Sequence, residues 1–338
     1  MAVIELEGLT KDYGDVRAAD DLTLTVDRGE IFGYLGPNGA GKTTTIRMLL
    51  GFISPTAGSA QVLGADIRNR KALLEARRRI GYLSDDPGFD EEATGTEILD
   101  LHAAVKGGER RDELLELFDP PLDRQVREYS RGNVQKLGIV TTFMHDPDLV
   151  ILDEPTSGLD PLMKQRFSEF LRSERDRGVT TFFSSHILSE VRRLCDRVGI
   201  IRNGRLVTVD PIETLLTRSG KVVRIHANDS IPVDTLDLEG VHGLETNASG
   251  EGGGGAGGTN GPGGDRGDDG GNGDGHSEGS PAVASEQTAH FTECAFTFTG
   301  DINALLERLS PYDLLDLSIE EAPLEDVFMR FYGGEDDV

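Results

Sequence analysis

The sequence predicts an α/β fold for residues 1–218, followed by a small α+β domain over residues 219–338. Three observations carry this reading. Short β-branched runs alternate with segments of helical periodicity through the first part of the chain. The run at 149–152 is apolar without a break and that at 179–183 is β-branched and aromatic throughout, as suits parallel strands covered on both faces. Residues 250–275 are more than half Gly, a composition that cannot build a core, so the patterned segments beyond residue 218 belong to a separate unit.

The elements follow in order. Residues 3–6 and 22–26 read as half-buried strands, and residues 31–35 as an apolar strand that enters a Gly-rich turn and then a helix at 43–50. Helical patterns occupy 68–79, 96–105, 133–144 and 161–175, the last with Pro161 in its first turn, where a missing N–H costs nothing. Ordered segments at 221–227 and 241–246 precede an acidic linker, 249–286, expected to be disordered with a span of roughly 30–35 Å. An alternating strand at 290–299, a helix at 302–309, a strand at 314–319 and a helix at 324–332 follow it. The two flanks are expected to form one domain with the linker as a loop insertion, so deletion of 250–280 should leave the rest folded.

The net charge is −26. Residues 1–218 hold 29 Lys and Arg against 36 Asp and Glu, and residues 219–338 hold 5 against 24, so the acid concentrates in the C-terminal part. Such a chain repels nucleic acid and anionic lipid, so no nucleic-acid partner and no direct membrane insertion are expected. Scarce Lys with abundant Asp and Arg resembles proteins of salt-adapted cells, such as a halophilic archaeon. Cys195 and Cys294 stand far apart in no metal-ligand spacing and read as buried thiols in a reducing compartment. No apolar run approaches the ~18 residues of a spanning helix. Residues 1–9 lack the basic and apolar regions of a signal peptide.

Gly36-Pro37-Asn38-Gly39-Ala40-Gly41-Lys42-Thr43 matches G-x-x-x-x-G-K-[ST] in full, with the expected strand before it and helix after it. The glycines let backbone N–H groups turn inward around phosphates, and the helix N-terminus adds partial positive charge. Lys42 is placed to reach the β- and γ-phosphates, Thr43 to set a hydroxyl on Mg²⁺, and Thr44 completes the nucleotide-binding set. Further on, residues 149–152 end in Asp153 and Glu154. Ligands of parallel sheets sit at the carboxyl ends of strands, so Asp153 should face the same cleft and hold Mg²⁺ through water. Glu154, one residue on, should polarise the attacking water, and the pair after a phosphate loop predicts triphosphate hydrolysis.

Other segments separate the many proteins with such a loop. Ser130-Arg131-Gly132-Asn133 precedes a helical pattern about twenty residues before Asp153 and resembles the LSGGQ-type signature of ATP-binding cassette (ABC) transporter ATPases. Read alone it is a helix N-cap followed by Gly. Pro155-Thr156-Ser157-Gly158-Leu159-Asp160 resembles that family's D-loop, carrying Asp160, and Ser184-Ser185-His186 its switch-histidine segment. Tyr13 lies where the family keeps an adenine-stacking aromatic. The resemblance covers residues 2–218, with the motifs in family order. Ala322-Pro323-Leu324-Glu325-Asp326-Val327-Phe328 resembles the ending of drug and multidrug exporter ATPases, without its usual Ser or Thr.

The resemblance implies a P-loop ABC ATPase domain with a helical subdomain, ATP and Mg²⁺ as ligands, and a separate integral membrane permease as partner. It implies a head-to-tail pair, expected to be a homodimer, with ATP between Lys42 of one copy and Ser130–Gly132 of the other. His186 would contact the γ-phosphate, and the pair would sit at the cytoplasmic face of the membrane through the permease. Two residues depart from the pattern: Asp85 occupies the usual Gln register, where a Mg²⁺ contact is expected, and Arg131 replaces the first Gly of the signature. The acidic stretch 85–97 lies where the family receives its permease, and reads equally as a dock for a basic segment or as a solvated loop. The leading expectation is an exporter ATPase. The alternatives are an importer cassette with a regulatory C-terminal domain, which needs a solute-binding protein, and a non-transport ABC ATPase of translation or repair. The single cassette and the short interval between Thr43 and Asp153 count against the last.

Overall fold

The computed structural model describes residues 2–218, 220–247 and 290–321, in two compact units divided after Arg218. The expected linker at 249–286, the 322–328 motif and the helix at 324–332 lie outside the described residues. In chain order, the strands of the first unit are β1 (Ala2–Asp12), β2 (Arg17–Asp27), β3 (Ile31–Leu35), β4 (Ala57–Val62) and β5 (Ala65–Asp66), then β6 (Ile80–Leu83), β7 (Leu149–Asp153), β8 (Thr180–Ser185), β9 (Arg197–Arg202) and β10 (Arg205–Pro211). Its helices are α1 (Lys42–Leu49), α2 (Arg70–Arg77), α3 (Gly95–Lys106), α4 (Arg111–Phe118), α5 (Arg131–Phe143), α6 (Pro161–Asp176), α7 (Leu188–Leu194) and α8 (Ile212–Arg218).

Six strands form one sheet in the order β10-β9-β3-β8-β7-β6, parallel except for the edge strand β10. The order places β3, β8 and β7 side by side, with Leu35 opposite Ser185 and Asp153 opposite Ser184. The carboxyl ends of these three strands therefore meet, and the loops leaving them share one rim. The unbroken apolar runs have their reason in two cores. Phe32, Tyr34, Ile151 and Phe182 pack with Leu6 and Val26 of a second, antiparallel sheet, β2-β1-β4-β5, and with Ile46 of α1. Ile31, Val150, Leu152 and Phe183 turn the other way, onto Leu137 and Phe143 of α5 and Phe167 and Leu171 of α6. Each fully buried side chain of this size contributes about 1.5–3 kcal/mol.

β1 and β2 run well beyond the expected 3–6 and 22–26, because β-bulges carry the pairing through polar residues that break the alternation. α4, unexpected from the sequence, carries Leu114, Leu115, Leu117 and Phe118 at helical spacing over only two turns, with Leu114 and Phe118 buried. It is pinned by Arg110, whose guanidinium forks onto Glu174 of α6 at 2.6 and 2.8 Å, both groups buried. α6 begins as expected, with Pro161 in its first turn and Asp160 as N-cap accepting from Met163 N at 2.9 Å.

The second unit contains β11 (Lys221–Pro232), β12 (Val241–Asn247), β13 (His290–Phe298), α9 (Ile302–Leu309) and β14 (Leu314–Glu321). Its antiparallel sheet has the order β12-β13-β11-β14. β13 pairs with both β11 and β12, so strands from the two sides of residues 248–289 share one sheet. Val223, Ile225, Phe296 and Phe298 form its core with Leu305 and Leu309 of α9.

Candidate nucleotide site

The loop between β3 and α1 closes tightly on its surroundings. Gly41 caps α1 with φ 107°, and a Cβ there would lie 2.1 Å from the carbonyl oxygen of Ala18. Both the left-handed backbone and the close approach demand glycine. Lys42 is buried inside the loop, donating to Gly36 O at 2.7 Å and Pro37 O at 3.3 Å. Its ammonium also faces Glu154 Oε1 at 3.3 Å.

The end of β7 supplies the opposite charge. Thr43 Oγ1 donates to Asp153 Oδ2 at 2.8 Å, and Ser184 Oγ at the end of β8 donates to Asp153 Oδ1 at 3.0 Å. Glu154 follows with φ 51°, a conformation that costs a non-glycine residue on the order of 1–3 kcal/mol. The turn aims its carboxylate back into the rim, between Lys42 and His186 Nδ1, which lies 2.8 Å from Glu154 Oε2. Strain at a carboxylate held between an ammonium and an imidazole nitrogen is the pattern of a site rather than of a fold element.

A cleft of about 440 Å³ joins these groups. Pro37, Asn38, Gly39, Gly41, Lys42, Thr43 and Thr44 line one wall, with Asp85, Asp153 and Glu154 opposite. Gly36 and Ala40 belong to the same loop: Gly36 N donates to Ser185 O at 3.3 Å, and Ala40 O accepts from Gly204 N at 3.0 Å. The third wall escaped the sequence reading. It is made by Val16, Arg17 and Ala18 and by Asn203 and Gly204 of the β9–β10 turn. Asn203-Gly204, between two apolar runs, is a strong hairpin signal that could have located this turn. Tyr13 lies outside the lining, 57% exposed, with Lys11 Nζ 4.9 Å from its ring centre.

The Ser130–Asn133 segment stands apart from the loop. Ser130 caps α5, its hydroxyl accepting from Asn133 N at 3.3 Å. Gly132 lies against Gly158, whose carbonyl oxygen would be 2.7 Å from a Cβ. Its link to the cleft is Arg131, which donates to Asp85 Oδ1 at 2.8 Å. The hydroxyl of Thr43 with the carboxylate of Asp153 is the hard-oxygen donor pair that Mg²⁺ takes beside phosphate.

Fold and rim define a P-loop nucleotide hydrolase of the cassette type. The ABC transporter family model matches residues 19–157. The bacitracin transport ATP-binding protein BcrA of Bacillus licheniformis is 41% identical over 234 residues, covering 67% of this chain and 76% of that protein. The Nod factor export ATP-binding protein I of Ralstonia nicotianae is 36% identical over 244 residues, covering 69% and 75%. Among solved structures, an ATP-binding subunit of an ABC transporter superposes with a TM-score of 0.59 at 32% identity, covering 64% of this chain and 92% of that one. A dimeric ATP-binding cassette bound to ADP and Pi, with a TM-score of 0.57 at 20% identity, shares the fold. The chain belongs to the ATP-binding subunits of ABC transporters. It is an ATPase subunit, and subunits of this family dimerise and work with membrane permease components. No helix among the described residues is long and apolar enough to cross a membrane.

Proposed function

We propose that this chain powers export, as a homodimer, through a separate permease at the cytoplasmic face of the membrane. The observation that carries the chemistry is the convergence of Lys42, Thr43, Asp153, Glu154 and His186 on one strand rim. When ATP binds, the Lys42 ammonium exchanges the Gly36 and Pro37 carbonyls for phosphate oxygens. Backbone N–H groups of Gly39, Gly41, Lys42, Thr43 and Thr44 bind the phosphates, and Tyr13 stacks on adenine. Thr43 and Asp153, oriented by Ser184, would hold Mg²⁺, with Asp85 lining the same cleft. That ion supplies charge neutralisation on the phosphates.

Glu154 accepts the proton of the attacking water, and its paired His186 fixes the carboxylate and contacts the γ-phosphate. Phosphoryl transfer asks mainly for position and charge, which this rim supplies. The head-to-tail arrangement lays Ser130–Asn133 of one copy over the nucleotide of the other, where a helix N-terminus and a bare Gly approach phosphate closely. Asp160, the N-cap of α6, borders that interface in the same loop as Gly158. The export direction is supported by relatives named for bacitracin transport and Nod factor export. The acid excess of −26 supports a cell interior rich in salt. Residues 1–218 constitute the ATPase domain, and residues 219–338 an accessory domain.

Glu154→Gln keeps the shape of the side chain and removes the base. It should retain ATP binding and slow hydrolysis by on the order of 10²–10⁴. Turnover near that of the parent would remove Glu154 from this role.

A further inference from the structure

The two residues that depart from the family pattern touch each other. Arg131 Nη2 donates to Asp85 Oδ1 at 2.8 Å, across 46 residues of chain. Arg131 opens α5, whose first turn holds no acid, and a cation there opposes the helix dipole. Asp85 supplies the missing negative charge from the loop after β6. The stem of Arg131 lies over Gly158, where an added Cβ would stand 2.8 Å from Arg131 Cγ. One side chain therefore contacts the loop after β6, the start of α5 and the loop after β7. Asp85 in turn lines the cleft with Lys42, Thr43, Asp153 and Glu154.

We propose that Asp85 is a positioning residue that holds Arg131 in reserve, so that the pair couples the chain's own nucleotide cleft to the nucleotide on the facing copy. This rests on the head-to-tail reading above. In that arrangement Arg131 has two competing anionic partners, the Asp85 carboxylate and the phosphate oxygens across the interface. A guanidinium keeps its charge and forks onto either, but the N–H that serves one is withdrawn from the other. As the copies close, Arg131 leaves Asp85 for the phosphate, and the Asp85 carboxylate is left facing its own cleft beside Thr43 and Asp153. Asp85 thus opposes closure until phosphate outbids it. A purely structural ion pair would act with the opposite sign, supporting the interface it orders.

The test uses the full chain carrying Glu154→Gln, with ATP titrated in EDTA so that metal contacts of Asp85 do not enter. The readout is the dimer fraction by light scattering. Asp85→Gln, and Asp85→Ala as a second neutral variant, should lower the ATP midpoint of dimerisation by about two- to fivefold, the scale of an exposed ion pair. On an Arg131→Gly background the same Asp85 changes should leave the midpoint in place. A midpoint that rises, or that shifts equally with and without Arg131, overturns the proposal. Should the Glu154→Gln parent stay monomeric, the head-to-tail reading itself fails and takes the proposal with it.

Discussion

At the scale of single residues, function is concentrated in groups whose charge is matched at short range. Lys42 Nζ lies 3.3 Å from Glu154 Oε1 and His186 Nδ1 lies 2.8 Å from Oε2, so each oxygen of the carboxylate has a partner. This explains how Glu154 tolerates both its burial and its left-handed backbone. His186→Ala should therefore slow ATP turnover by on the order of 10² while leaving the KM for ATP within about twofold, read by steady-state kinetics. An equal rise in KM without loss of kcat would make His186 a binding group only. Lys42 could be read from the sequence because it closes the Gly-rich loop between β3 and α1, and Asp153 because it stands at the carboxyl end of the apolar strand β7. Ser184 was visible only as part of a motif, and its bond to Asp153 depends on strand register, which sequence does not reveal.

At the scale of elements, the helical layer is fastened by a buried ion pair. Arg110 at the start of α4 reaches Glu174 near the end of α6, whose carboxylate is also met by Arg177 Nη1 at 3.1 Å. Arg110→Met would leave a buried carboxylate with one partner, and should cost about 3 kcal/mol in urea unfolding. A change below about 0.5 kcal/mol would show that Arg177 suffices. His145, after α5, is held neutral: burial first, then nearby Lys106, pushes its pKa from 6.5 down to about 4. Between these values the unfolded chain binds a proton that the folded chain refuses, so stability falls as pH drops from about 6.5 toward 4. His145→Gln should flatten the urea midpoint across that window relative to the parent. Parallel curves would place the charged group elsewhere. The central strands and α6 were legible because a sheet buried on two faces selects runs of apolar and β-branched residues and Pro161 marks a helix start. α4 was not, since its Leu114, Leu115, Leu117 and Phe118 repeat over only two turns, and the cleft wall at Val16–Ala18 was not, since its place depends on long-range contacts.

At the scale of the whole molecule, a net charge of −26 works against any pairing of two copies. Bringing two such chains together costs electrostatic work that salt screens, with a Debye length near 10 Å at 0.1 M falling to about 3 Å at 1 M. Closure should thus be favoured by concentrated salt as well as by ATP. The direct measurement is the mass in solution of the Glu154→Gln chain, by light scattering, with and without ATP over a salt series. The expected mass is 36.6 kDa without nucleotide and about twice that with ATP, the dimer forming more readily as salt rises. A mass that stays at 36.6 kDa with saturating ATP at every salt concentration would contradict it.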